Sequence, residues 1–149
     1  MEKIRRSLRF TSSHYVDPIG IAGGLALWWN EGVNITVQMD SKNIIDNLVS
    51  INEGSAWYCS FIYGPPYREE KKDFWNMLSR RRDSESCPWC VVGDSNVVTK
   101  QDDKLGGNPY EIIQARCLLD FQDVCGMMDL PLKGVISRGR IRELMMKQY

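Results

Sequence analysis

Asp94 and Asn96 stand two residues apart at the end of the apolar run Trp89-Cys90-Val91-Val92-Gly93. A carboxylate in that place can bind a hard cation or polarise a water, and an amide can hydrogen-bond a phosphate oxygen. Polar residues that follow a buried strand gather in the crevice at the carboxyl edge of a sheet, where α/β folds build their sites. Tyr63-Gly64-Pro65-Pro66 ends an earlier apolar run in the same manner and brings a phenol to what would be the same edge. Gly-Asp after a strand is also a common turn, so the pattern alone leaves a plain turn as the alternative.

Just upstream, Cys87-Pro88-Trp89-Cys90 has the spacing of a redox or zinc pair. A redox pair needs a helix N-terminus to lower the pKa of its first sulfur, but Cys90 runs into Val-Val-Gly, a β-branched strand pattern. A structural zinc site needs a second pair of ligands, and Cys59, Cys117, Cys125 and the single histidine, His14, are scattered. Redox or zinc chemistry is therefore the weaker alternative, and the cysteines are expected as small core residues.

The elements that would carry these residues follow from apolar periodicity. Residues 24–29, 33–39, 56–63 and 89–92 read as strands; 33–39 alternates with period two, and the last two are apolar enough to be buried on both faces. Residues 44–51 fit either a helix or a strand, with a strand favoured. After Pro65-Pro66, Tyr67, Phe74, Trp75 and Leu78 make one apolar helical face. A second helix has Asn108 as N-cap, Pro109 at its first position and Glu111 completing a capping box. It continues through Leu118, Phe121, Cys125 and Met128, with Gly126 as a left-handed C-cap. No strand is expected beyond Gly134, where the chain reads as a basic tail. The order of strands and helices predicts an α/β fold, a mixed sheet covered by helices.

Composition narrows the function. The 149 residues make one domain with a real core, and five Trp and six Tyr argue against disorder. The longest apolar run, 19–29, is about half a bilayer span and holds three glycines. The basic N-terminus is not followed by the apolar stretch of a secretory signal, which predicts a reducing compartment and free thiols. Net charge is zero, yet residues 1–10 carry four bases to one acid and 133–149 five to one, leaving ten bases and seventeen acids between. A protein that merely coats nucleic acid should be basic throughout; an acidic middle with basic ends is compatible with a cation-dependent site that also meets phosphates.

Five segments in order, "GIAGGLALWWNEGVNITVQ", "WYCSFIYGPPYREEKKDFWNML", "CPWCVVGDSNVV", "DDKLGGNP" and "FQDVCGMMDLPLKG", resemble the endonuclease/exonuclease/phosphatase superfamily. Within it, the chain is most similar to the endonuclease domain of plant LINE-type retrotransposons. The resemblance covers residues 1–135, a partial domain, and leaves 136–149 as a divergent basic tail. It implies an incomplete four-layer α/β sandwich, two mixed sheets flanked by helices. It also implies Mg²⁺ (or Mn²⁺)-dependent phosphodiester hydrolysis with DNA as the partner, in the nucleus. Carried over by motif, Tyr63 lines the phosphate site, Asp94 orients or deprotonates the attacking water and binds the metal, and Asn96 holds the scissile phosphate.

The departures are as specific. The family's early asparagine and metal-binding glutamate have no counterpart before Gly24, and no histidine follows His14 to complete its terminal aspartate-histidine pair. In the plant motif G-D-F-N-E, phenylalanine is replaced by Ser95 and glutamate by Val97. Such groups act as a unit, so the expectation is a fragment of weak or no activity. A non-catalytic nucleic-acid-binding remnant stays open beside it.

Overall fold

The computed structural model describes residues 1–19, 24–51, 54–81, 87–97, 99, 112–130 and 143–147. Among them, three helices and eight strands alternate: α1 (Glu2–Ser7), β1 (Ser12–Val16), β2 (Leu25–Trp29), β3 (Val33–Ser41), β4 (Ile44–Ile51), β5 (Ala56–Tyr63), α2 (Arg68–Arg80), β6 (Trp89–Asp94), α3 (Ile112–Cys125), β7 (Met128–Asp129) and β8 (Glu143–Lys147). They form a mixed six-stranded sheet in the order β3-β4-β5-β6-β8-β7 and a separate antiparallel pair, β1-β2. The fold is thus α/β with two sheets and three helices among the described residues, as the sequence implied.

The sheet's design explains which strands were easy to recognise. β3 to β5 form an antiparallel meander, in which Ile44 faces Ser41 on one side and Ile62 on the other. β5 and β6 are parallel, joined across α2, as parallel neighbours require a crossover. β4 sits second in the sheet with Ile44, Ile45, Asp46 and Asn47 all buried. Burial on both faces removes the alternation that marks a half-exposed strand, which is why 44–51 was ambiguous. The two buried polar residues are hydrogen-bonded, although Asn47 Oδ1 is left without a partner among the described residues. Asn47 Nδ2 donates to the carbonyls of Ile45 at 3.0 Å and Cys59 at 3.1 Å. Asp46 accepts from Ser60 Oγ at 2.6 Å and from Arg81 just past α2 at 3.0 Å, while Trp89 Nε1 donates to Ser60 Oγ at 2.9 Å.

The core lies between the sheet and the pair α2–α3. Phe74, Trp75 and Leu78 of α2 meet Leu118, Phe121 and Cys125 of α3 over Ile44, Ile62, Trp89 and Val91. Phe121 is wedged between two indoles, with ring centroids 5.1 Å from Trp75 and 5.7 Å from Trp89. The first helix face is as predicted except for Tyr67, which takes an extended conformation at the N-cap and is exposed. Gly126 does end α3 in the left-handed region, at φ 62°. The chain then turns, so Met127 is buried and Met128 is exposed on β7 instead of continuing the helix face. Asn108, Pro109 and Glu111 lie outside the described residues.

One expectation needs correction. The region beyond Gly134 does contain a strand: β8 pairs antiparallel with β6, Glu143 opposite Gly93 and Lys147 opposite Trp89. Its Glu-Leu-Met-Met-Lys sequence is short and flanked by charge, and only pairing with β6 fixes it as extended. The N-terminal α1 and β1 also lack a sequence signature. They are fastened to β2 by a polar chain in which Trp28 Nε1 donates to Tyr15 Oη and Tyr15 Oη to Glu2 Oε2, each at 3.0 Å.

Phe121→Ala should cost about 3–5 kcal/mol of stability, because two rings lose their partner and the space cannot close, as measured by denaturant unfolding. The Arg5 guanidinium, with help from Tyr15 and Arg6, holds the Glu2 carboxyl down to about 2. A carboxyl lowered on folding stabilises above its unfolded value and loses that contribution as pH falls through the folded one. The α1–β1 contact should therefore hold at pH 5 and release between pH 4.5 and 2, seen as a change in the Tyr15 ring resonances ahead of global unfolding.

Candidate active site

Tyr63 and Asp94 are the last residues of β5 and β6 and face each other in the parallel register. Both side chains are exposed, at the carboxyl edge the sequence pointed to. Asn96 follows two residues later, so the three predicted residues do come together.

What joins them is backbone contact between the two strand ends. Gly64 N donates to the Asp94 carbonyl at 2.6 Å. A Cβ on Gly64 would lie 2.2 Å from the Ser95 carbonyl oxygen, and one on Gly93, at φ 149°, would lie 1.9 Å from that of Ile62. Neither position has room for a side chain. Asn96 is in the left-handed region at φ 52°, which asparagine tolerates better than other side-chain-bearing residues. Its N–H donates to Asp94 Oδ1 at 2.9 Å and its Nδ2 donates to the Gly64 carbonyl at 2.6 Å. A carbonyl can only accept, so the amide orientation is fixed by chemistry. Asn96 therefore spends one amide N–H on holding Gly64 and has its second for a ligand.

Three further residues complete the arrangement, of which the sequence singled out Ser95 and not Asn43 or Lys71. Asn43, buried in the β3–β4 turn, brackets Tyr63: its Nδ2 donates to the Tyr63 carbonyl at 2.6 Å and its own carbonyl accepts from Tyr63 N at 2.9 Å. Ser95 is buried, and its Oγ accepts from Val97 N at 3.1 Å, which closes a local turn. Lys71, on the first turns of α2, sends Nζ to the Asn96 carbonyl at 2.5 Å. Burial pushes its ammonium below the ordinary lysine value, with Cys117 and Asp94 opposing the shift. The signal that could have found it is the helix period: Lys71 stands at i to Phe74, Trp75 and Leu78 at i+3, i+4 and i+7, so it shares their inward face while Lys72 lies off it.

The other candidates fall elsewhere. His14 Nε2 lies 2.6 Å from Asp40 Oδ2. Asp40 is on β3, three strands from Asp94 in the sheet order. Cys87 donates to the Ala56 carbonyl at 3.1 Å. Cys90 lies directly across from Cys59 on β5, so its thiol neighbour comes from the sheet and not from Cys87. The thiol–thiol contact, with burial, pushes Cys59 up; as the acceptor, Cys90 is drawn down. Among the described residues no three His, Cys, Asp or Glu side chains converge to hold a metal, and no helix is long and apolar enough to cross a membrane.

No protein-family model matches the chain, and no curated protein matches it in sequence. Solved structures do. The endonuclease domain of TRAS1, a telomere-specific non-LTR retrotransposon, superposes with a TM-score of 0.63 at 11% identity, over 91% of this chain and 67% of that one. ANGEL2, a 2′,3′-cyclic phosphatase in complex with adenosine-2′,3′-vanadate, overlaps with a TM-score of 0.42 at 15% identity, over 67% of this chain and 36% of that one. The second overlap is too partial to carry weight. The first establishes that this chain has the fold of an endonuclease domain; at that identity it speaks for the fold and not for the activity.

Gly64→Ala should displace the Asp94–Asn96 turn, since the new methyl meets backbone. A cost of about 2–3 kcal/mol is expected in thermal unfolding, with amide shifts concentrated at residues 93–97 and β3–β4 unchanged.

Proposed function

We propose that the chain is a phosphodiesterase-type domain acting on nucleic acid, and specifically a fragment of a Mg²⁺-dependent DNA endonuclease of the plant LINE type, with weak or no activity. The observation that carries this reading is the Tyr63–Asp94 register pair with Asn96 tied to both strand ends, at the carboxyl edge of a fold shared with a retrotransposon endonuclease domain. A role of that type belongs in the nucleus.

The residues present fit a lightly held cation. Mg²⁺ or Mn²⁺ keeps several waters and needs only one or two carboxylates, with substrate phosphate supplying other ligands. Among the described residues Asp94 is the carboxylate at this edge, and the cation's contribution when bound is to neutralise charge on the phosphate. Asp94 Oδ1 accepts the Asn96 N–H, and the lone pairs that remain on the carboxylate would be divided between the cation and the attacking water. One carboxylate carrying both roles is the physical ground for weak activity. The second Asn96 N–H donates to a phosphate oxygen of the substrate, and the exposed Tyr63 hydroxyl lines the phosphate's approach. The chain's one histidine is held by Asp40, so protonation of the leaving group falls to water.

That no further carboxylates converge on Asp94 among the described residues favours the second reading, a non-catalytic remnant that binds nucleic acid through its basic end segments, with the steep salt dependence of phosphate contacts. Nicking of supercoiled plasmid by the purified chain in Mg²⁺ or Mn²⁺ separates the two. The expected result is cation-dependent nicking, abolished by EDTA and reduced by about a hundredfold or more in Asp94→Ala. Equal background nicking by both proteins, each folded by circular dichroism, would assign the non-catalytic role.

A further inference from the structure

Lys71 is the one buried cation among the described residues, with 9% of its surface exposed, while Arg68, Lys72 and Arg80 on the same helix are exposed. Burying an ammonium is costly unless it is well paired. Here its hydrogen bond goes to a main-chain carbonyl, that of Asn96, at 2.5 Å. That carbonyl belongs to the peptide unit whose other end, Val97 N–H, is held by Ser95 Oγ at 3.1 Å. The Asn96–Val97 peptide plane is thus gripped on both sides, by a charge from α2 and by a hydroxyl from its own turn. The residue that precedes this plane is Asn96, in a left-handed conformation that most residues avoid, with its N–H on Asp94 Oδ1 and its amide on Gly64. Release of the carbonyl would let the plane rotate. The aim of both Asp94 and the Asn96 amide would then change.

We infer that Lys71 is a positioning residue of this site: its buried ammonium fixes the Asn96–Val97 peptide and so sets the direction in which Asp94 and Asn96 present their polar groups. The anchoring stands on geometry alone; its consequence for chemistry rests on the function proposed above. A lysine suits the task because a long flexible stem crosses apolar surface while a compact point charge meets one oxygen.

The test compares wild type with Lys71→Met, Lys71→Arg and the exposed neighbour Lys72→Met by backbone ¹⁵N relaxation. In wild type the amides of residues 95–97 should be as rigid as the strands, with order parameters near 0.85, falling below about 0.6 in Lys71→Met. Lys71→Arg should restore much of the order, and Lys72→Met should leave it untouched. A turn equally rigid in Lys71→Met, or a loss of order spread evenly over the core, would overturn the inference. Should Lys71→Met not fold, selectively ¹⁵N-labelled lysine in wild type decides the matter. A hydrogen-bonded Lys71 ammonium gives a slowly exchanging signal, and a fast-exchanging one refutes the anchor. Where wild type nicks plasmid, Lys71→Met should lower kcat by about a hundredfold with KM little changed, and an unchanged kcat would count against positioning. Where wild type does not nick, the catalytic reading falls while the relaxation result still decides the anchor.

Discussion

The close approach of two strand ends, made possible by residues without side chains, is the constraint on which this site depends. β5 and β6 run in register up to Tyr63 and Asp94, and immediately there Gly93 and Gly64 bring backbone against backbone at distances no Cβ could share. Everything polar at the edge is then arranged around that contact. Asn96 reaches back to the Gly64 carbonyl, Asp94 accepts from Asn96, and Asn43 holds Tyr63 from the far side. Hydrogen bonds to backbone set these positions from within the chain itself.

Helix α2 ties this edge to the core. Its apolar face, Phe74, Trp75 and Leu78, packs on α3 and the sheet. Just beyond its C-terminal end, Arg81 pairs with Asp46 inside the sheet, and at its start Lys71 takes hold of the Asn96 turn. Two cations, at opposite ends of one helix, thus join the helix layer to the sheet through polar groups, while the face between them is dry. Such buried polar contacts add little net stability but fix register, because any sliding of the helix leaves a charge without its partner.

Motif chemistry and apolar periodicity recovered the centre of the molecule well. The alternation in 33–39, the continuous apolar runs in 56–63 and 89–92, and the Phe74-Trp75-Leu78 face all correspond to elements with those residues in those environments. Tyr63, Asp94 and Asn96 were found because each follows a run that can only be a strand. The misses lie where non-local pairing outweighs local pattern. β8 is a charged pentapeptide that becomes a strand because β6 offers it a ladder, and β1 is extended because β2 pairs with it. Tyr67 left the helix face because it is the N-cap residue of α2, whose backbone is extended outside the first turn.

By itself, the sequence determined the α/β class, the positions of the main strands and helices, and the carboxyl-edge location of Asp94, Asn96 and Tyr63, because these depend on side-chain period and on glycine and proline placed next to one another in the chain. Only the tertiary structure decided that Lys71 meets the Asn96 carbonyl, that Cys90 faces Cys59, and that His14 pairs with Asp40. Each of those outcomes is a contact between residues distant in sequence. They are settled by which buried hydrogen bond remains available once the backbone has packed.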